Sequence, residues 1–352
     1  MTEWWAFKPI TTAFERTRKL LLEPFNAWTW LKLIIIVFFV GTGTNRLSSN
    51  FSNMANYQMG PSDRYAIEQG INSILSNTML ILILVGLVVL LIAMVLIFAY
   101  LRNVFSFVFI QALTSGDVHV IKPMMSNLGR GFRLFIFTLL VGLLTLVVVV
   151  ALILAMIFCI FLALKVGVSG VAGLMVLMLA IFVIVILLLL LIAFSIAAAI
   201  FVGFTYDFVA PMVYFKGMGI IESWKWLWAS IKKYWQQYGV YVLARWALEL
   251  AVGILTMFII LPVALIFIAI LLAGAIAAAY AAKTTIVLAV LVGLAVLVLA
   301  VIFILIVMAI TMPVAVYFRY YSLDVLKQID PSAAIYSGRF TPPSPPPSML
   351  PA

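Results

Sequence analysis

Residues 207–249 read DFVAPMVYFKGMGIIESWKWLWASIKKYWQQYGVYVLARWALE, and this stretch decides the class of fold. A long uncharged apolar run ends just before Asp207, and apolar sequence resumes at Val240. Between the two runs lie Trp224, Trp226, Trp228, Tyr234, Trp235 and Tyr238, interleaved with Lys225, Lys232 and Lys233. Aromatic rings with a polar edge prefer the boundary between lipid tails and water, and lysine ammonium groups sit well at the same level. The pattern predicts a helix leaving a membrane, an amphipathic segment lying on its surface, and a second helix going back in. Trp224, Trp228, Lys232, Lys233 and Trp235 are the candidate lipid-interface residues. Anionic headgroups are one ligand for such a cluster; a general interfacial belt explains the same residues more simply.

Composition agrees with this reading. Of 352 residues, 67% are hydrophobic and 9% charged, against about 25% charged in soluble domains. No water-soluble packing hides that much apolar surface, so the expected class is all-α integral membrane. The net charge of +10 belongs to membrane topology rather than to nucleic acid, because basic residues accumulate in cytoplasmic loops. Cys159 and His119 are the sole residues of their kinds. An intramolecular disulfide, a cysteine-based metal site and a Ser/His/Asp or Cys/His catalytic set all need more partners. No catalytic, metal or cofactor-binding residues are expected.

Six spans follow from the apolar runs: 25–42, 79–101, 134–164, 174–206, 238–272 and 286–318. The first is short and holds Lys32, which must snorkel to the headgroups for the helix to cross. The segment before it is long and acidic for a cleaved signal peptide, and residues 12–22 have the spacing of an amphipathic helix. Residues 42–77 read as an external loop, 102–133 as a basic one. Residues 165–173 and 274–285 read as turns rich in small residues. Pro262 is an expected kink, residues 319–330 a charged amphipathic stretch, and the Pro-rich 341–352 a disordered tail. Nearly all Lys and Arg fall on one side, with Arg46, Arg64, Lys165 and Lys283 on the other. Both termini are therefore expected in the cytoplasm of a multi-pass protein of the plasma membrane.

An internal periodicity accompanies these spans. An approach ending in an aromatic precedes the odd spans, at Phe25, Phe132 and Tyr234 to Tyr238. The even spans end on Phe109-Ile110-Gln111, Tyr214-Phe215-Lys216 and Tyr317-Phe318-Arg319 at a nearly constant interval. The expected unit is a cytoplasmic interfacial amphipathic helix followed by two spans. Three parallel copies, 10–115, 116–222 and 223–330, make one polytopic domain over 1–340. Aromatic boundaries in any alternating six-span protein produce some of the same signal.

The run from Asp207 through Pro211, Tyr214, Phe215 and Gly217, followed by Glu222-Ser223-Trp224, resembles the central motif of an uncharacterised family of archaeal and bacterial six-helix membrane proteins. Those are similar in turn to the membrane domain fused to some glycerophosphodiester phosphodiesterases. Tyr317-Phe318-Arg319-Tyr320-Tyr321-Ser322-Leu323, with Asp330 beyond, resembles the closing motif of that family. The resemblance implies architecture and membrane location. The hydrolase domain that gives the phosphodiesterases their chemistry has no counterpart in these residues, so the resemblance carries no activity with it.

Few polar groups lie inside the spans. Arg245 and Glu249 are four apart and share one helix face, about 10 Å beyond Tyr238 by helical rise. Charges in a membrane are functional suspects, but a self-neutralising pair that fixes packing needs no pathway. Asp207 and Arg319 close the fourth and sixth spans and are candidates for a bridge at the cytoplasmic rim; each also reads as an ordinary solvated flank. Gly129, Gly131, Gly217 and Gly219 form no phosphate loop. Two readings remain: a non-catalytic scaffold or lipid-interacting membrane protein, and a small-solute or ion transporter or channel. The scarcity of polar residues in the spans favours the first, and an enzyme is not expected. Partners are membrane lipids and, by the same apolar surface, other membrane proteins, with no nucleic acid. On a Cys159→Ser background, single cysteines at Asn56 and Ala278 should react with an impermeant maleimide from outside, and one at Ser126 only from inside; external labelling of Ser126 reverses the orientation.

Overall fold

The computed structural model describes residues 4–41, 77–166, 170–284 and 286–331. Among them there is no strand. The helices in chain order are α1 (Lys8–Leu22), α2 (Ala27–Val40), α3 (Thr78–Ser115), α4 (Ile121–Ser126), α5 (Leu128–Val166) and α6 (Gly170–Phe204). A π-helical segment, Thr205–Val209, leads into α7 (Ala210–Lys216), α8 (Ile220–Lys233), α9 (Trp235–Thr284) and α10 (Ile286–Ile329). Among the described residues, five helices are long and apolar enough to cross a membrane. Their most apolar stretches are almost wholly unburied, as lipid-facing surface must be, since hydrocarbon exacts no penalty for exposed Leu and Val.

Capping chemistry sets the helix starts. The Asn26 side chain accepts from the backbone N–H of Trp28 at 2.9 Å and of Thr29 at 3.4 Å. Asn77 does the same for Met79 at 3.0 Å and Leu80 at 3.4 Å. Each satisfies two donors that the first turn leaves without partners. Gly41 closes α2 with φ 73°, a left-handed conformation that a side chain disfavours. The first expected span is therefore a helix of 14 residues, about 21 Å long by helical rise, against about 30 Å of hydrocarbon.

Elsewhere the helices run further than the sequence reading gave them. Helix α3 continues through Arg102 to Ser115, which the charge pattern places in a loop. Helix α9 continues through residues 274–284, read above as a turn. That segment is GAIAAAYAAKT, and the high helix propensity of Ala outweighs one Gly. Pro262 and Pro313 lie inside helices that stay continuous, and residues 319–329 extend α10. All of the expected external loop at 42–77 except Asn77, and the tail at 341–352, lie outside the described residues.

The chain divides into two compact units, one of Met1–Gly131 with Gln236–Ala352, the other Phe132–Trp235. In the first, α1 lies along α10, and α2 packs on α3 and α10. Helix α1 buries Pro9, Ala13, Thr17, Leu20 and Leu21, one stripe at helical spacing. Helix α2 buries Leu33, Ile36 and Val37. The densest burial is at the C-terminal ends of the long helices: Val104 to Ile110 in α3 and Tyr320 to Leu326 in α10 are buried in unbroken runs. Helices α9 and α10 also meet through Phe267 and Phe303, ring centroids 4.7 Å apart. In the second unit, α6, the π segment, α7 and α8 pack in sequence. Phe201 stacks on Trp224 at 4.1 Å with planes 7° apart.

Gly131 marks a close approach. A Cβ there would lie 2.7 Å from the Val104 Cα atom, so backbone, not a flexible side-chain tip, would have to give. Gly129, two residues earlier, has open space around it. Gly131→Ala should cost about 1–3 kcal/mol as overpacking, read as a lower melting temperature in detergent, while Gly129→Ala should be neutral or slightly stabilising; equal melting of the two variants would remove the close approach.

Candidate functional site

In the first unit the polar side chains collect where α1 meets the end of α10. Thr12 and Arg16 are four apart on α1 and face Asp324. The Thr12 hydroxyl donates to Asp324 Oδ2 at 3.1 Å, and Arg16 Nη1 makes an ion pair with Oδ1. The Asp324 side chain is 7% exposed, so its charge has little water to stabilise it and depends on these partners. Tyr321, fully buried, donates to the carbonyl of Ala6 at 3.1 Å. Tyr320, also buried, donates to the carbonyl of Leu113 in α3 at 3.0 Å. The backbone N–H of Trp5 donates to Gln237 Oε1 at 3.1 Å, and its ring meets Tyr238 edge-on at 6.3 Å.

Arg245 and Glu249 come together at the start of α9. Arg245 Nε donates to Glu249 Oε1 at 3.0 Å, and Nη1 donates to the Tyr241 hydroxyl at 2.9 Å. Tyr241 is buried and stacks on Tyr321 at 5.7 Å with planes 10° apart. The guanidinium is thus held between a carboxylate and a phenol, and through Tyr241 the pair adjoins the α1–α10 cluster. The side chains are 23% and 39% exposed, so the pair sits at the edge of the packing rather than deep within it.

Asp207 and Arg319 belong to different compact units. Arg319 is buried, and its Nη2 donates to Ser106 of α3 at 3.5 Å. Asp207 is buried within the π segment, where the N–H of Ala210 reaches back five residues to the carbonyl of Thr205. Pro211 explains that geometry. In an α-helix its ring would clash with the carbonyl four residues earlier, that of Asp207, and a widened turn relieves the clash. The expectation of two solvated flanks does not describe either residue, since both are buried.

The interface candidates lie in the second unit, on and just after α8. Glu222 accepts from the Gly219 N–H at 3.3 Å; Gly219 has no side chain to return the bond, so this is half of a capping box. Helix α8 buries Ile220, Ser223 and Leu227, which leaves Ile221, Lys225, Trp228 and Lys232 on the outward face. Lys232 Nζ stands 5.8 Å from the centre of the Trp228 ring, and Lys233 Nζ 5.0 Å from that of Tyr234. Trp235 is exposed. Trp224 instead turns inward onto Phe201. Among the described residues no group of three or more His, Cys, Asp or Glu is placed to hold a metal ion.

The sequence reading missed Arg16, Asp324, Ser106, Tyr320 and Tyr321. Two signals carry all of them but Ser106: Thr12, Arg16 and Leu20 recur at four-residue spacing, and Asp324 directly follows the motif from Tyr317 to Leu323.

Among the described residues, all-helical structure, long apolar helices with exposed surfaces and a polar cluster at helix ends define a helical membrane-type protein. Residues 4–336 match the model of a family of unknown function, DUF7544, and the chain belongs to that family. No curated protein and no solved structure matches it. The family match carries no link to the glycerophosphodiester phosphodiesterases.

Asp324→Asn keeps the shape but discharges the acceptor of Arg16, and should cost about 2 kcal/mol, the worth of a charge-assisted hydrogen bond. Arg16→Leu combined with Asp324→Leu should recover much of that loss. Melting curves unchanged in Asp324→Asn would show that the pair contributes nothing.

Proposed function

We propose that this chain is a non-catalytic scaffold of the plasma membrane that works through contact with lipids and with other membrane proteins. The single observation behind this reading is where its hydroxyl groups point. Thr138, Thr145, Ser195, Thr256 and Thr311 lie in the long apolar helices, and each donates to the carbonyl four residues earlier in its own helix, at 2.9, 2.8, 2.7, 2.6 and 3.0 Å respectively. A hydroxyl bonded in this way is satisfied without a cavity. Solute and ion pathways instead hold polar side chains free at several depths.

The finer architecture belongs to the same proposal. Helix α2 makes a sixth, short crossing with Lys32 snorkelling at one end. Two-helix repeats at 10–115, 116–222 and 223–330 form one domain, with α1 and α8 on the cytoplasmic surface and both termini on that side. The likeness of the motifs around Asp207 and Tyr317 to the membrane domain of the phosphodiesterases supports a shared architecture and no shared chemistry. Trp228, Lys232, Lys233 and Trp235 meet headgroups, and the Arg245–Glu249 pair is structural.

The test is flux. Proteoliposomes holding the wild-type chain should leak protons, potassium and small solutes no faster than protein-free vesicles. Arg245→Leu and Glu249→Leu should each lower thermal stability, and the double variant should regain much of it, because two apolar groups replace an ion pair at little cost. Flux in the wild type that disappears in a stable double variant would make the protein a transporter or channel.

A further inference from the structure

A further cationic site belongs to the first compact unit. The segment between α3 and α5 is anchored from beneath. Val118, Pro123 and Asn127 are buried. Asn127 Nδ2 donates to Gln111 Oε1 at 3.0 Å and to the carbonyl of Pro123 at 2.8 Å, while its Oδ1 accepts from Arg130 Nη1 at 3.0 Å. This bonding fixes α4 in place. Its opposite side carries Ile121 and Met125, four apart, 69% and 64% exposed. They border an open cleft of about 530 Å³ that is completed by Lys32 of α2, His119, Val120 and Lys122.

Two demands meet in this cleft. Lys32 and Lys122 line the cleft almost wholly with carbon, and the ammonium groups their stems carry call for an anion at its rim. Ile121 and Met125, like the nearly all-carbon wall of the cleft, call for hydrocarbon. Water satisfies the lysines alone, and an apolar partner the remainder alone. A hydrated free anion gains only two flexible ammonium groups, with no fixed donors around it. An amphiphile with an anionic head answers both demands, and Lys32 starts an apolar helix at the level where such heads lie. Asp117 Oδ1 stands 3.3 Å from His119 Nδ1, which puts a carboxylate on that side of the cleft, so the anion belongs with the lysines.

We infer that this cleft binds an anionic phospholipid, its phosphate at the rim with the Lys32 and Lys122 ammonium groups and an acyl chain across Ile121 and Met125. The inference rests on the lipid-interacting reading above and gives it a defined site.

Native mass spectrometry of the full chain in detergent tests it, with phosphatidylglycerol and phosphatidylcholine of identical acyl chains as probes. The wild type should retain phosphatidylglycerol in preference. Lys32→Gln with Lys122→Gln should weaken that retention by about fivefold per lysine, with melting unchanged. Lys32→Arg with Lys122→Arg should preserve it, and Ile121→Gln with Met125→Gln should weaken it for long acyl chains. Retention unchanged by the double glutamine variant overturns the site. So does displacement of the lipid by an equal concentration of glycerol phosphate, which would mark a soluble-anion site. If Lys232→Gln with Lys233→Gln abolishes the preference and the Lys32 and Lys122 changes do not, the site fails while the lipid-interacting reading stands. If the wild type holds both lipids equally and its proteoliposomes conduct solute, both fail.

Discussion

A carboxylate shut away from water must find a cation, and Asp324 finds Arg16 across 308 residues of chain. Much of the first compact unit depends on that pairing. It requires α1 to lie along the end of α10, which brings Ala6 to the Tyr321 hydroxyl and Trp5 to Gln237 and Tyr238. Tyr321 stacks on Tyr241, and Tyr241 accepts from Arg245. Replacing one partner therefore disturbs a connected network as well as one charge-assisted hydrogen bond.

The arrangement follows from the length of the helices. Helices α9 and α10 hold 50 and 44 residues, about 75 and 66 Å by helical rise, and a hydrocarbon core is about 30 Å thick. Part of each helix must lie outside the hydrocarbon. The buried polar residues mark such parts: Asn103 and Ser106 in α3, Arg319, Ser322 and Asp324 in α10. There, side chains can exclude water by packing on one another, which lipid-facing stretches have no incentive to do. The close approach at Gly131 is likewise made to Val104, inside the buried part of α3.

The sequence displays the class of fold because uncharged runs admit few alternatives to membrane helices. It displays helix starts poorly unless a cap residue such as Asn26 or Asn77 stands before them, and helix ends more poorly still. Arg102 ends an apolar run but not a helix, since a charge is no obstacle to helical geometry where the chain leaves hydrocarbon. Among candidate side chains, Arg245 and Glu249 are readable because their spacing is local. Asp324 is not, because nothing near it in the sequence announces Arg16. Asp207 is conspicuous as an acid after an apolar run, yet its burial depends on the π segment. The one local clue to that segment is Pro211, four residues on, whose ring excludes the ordinary helical carbonyl.

The distribution of hydrogen bonds bears on what the long helices are suited to do. In hydrocarbon a free hydroxyl is costly, so Thr138, Thr145, Ser195, Thr256 and Thr311 turn to their own backbones. To line a path, each would have to leave that carbonyl and find a new acceptor before a solute arrived. Arg245 would likewise have to leave both Tyr241 and Glu249. A chain shaped by transport offers polar groups already free at successive depths, because every bond broken before the solute binds raises the barrier to its passage. Here Lys32 and Lys122 on one unit, and Lys225 and Lys232 on the outward face of α8, stand beside exposed apolar side chains instead. That pairing of ammonium and hydrocarbon suits an amphiphile at rest against the protein better than a solute moving through it.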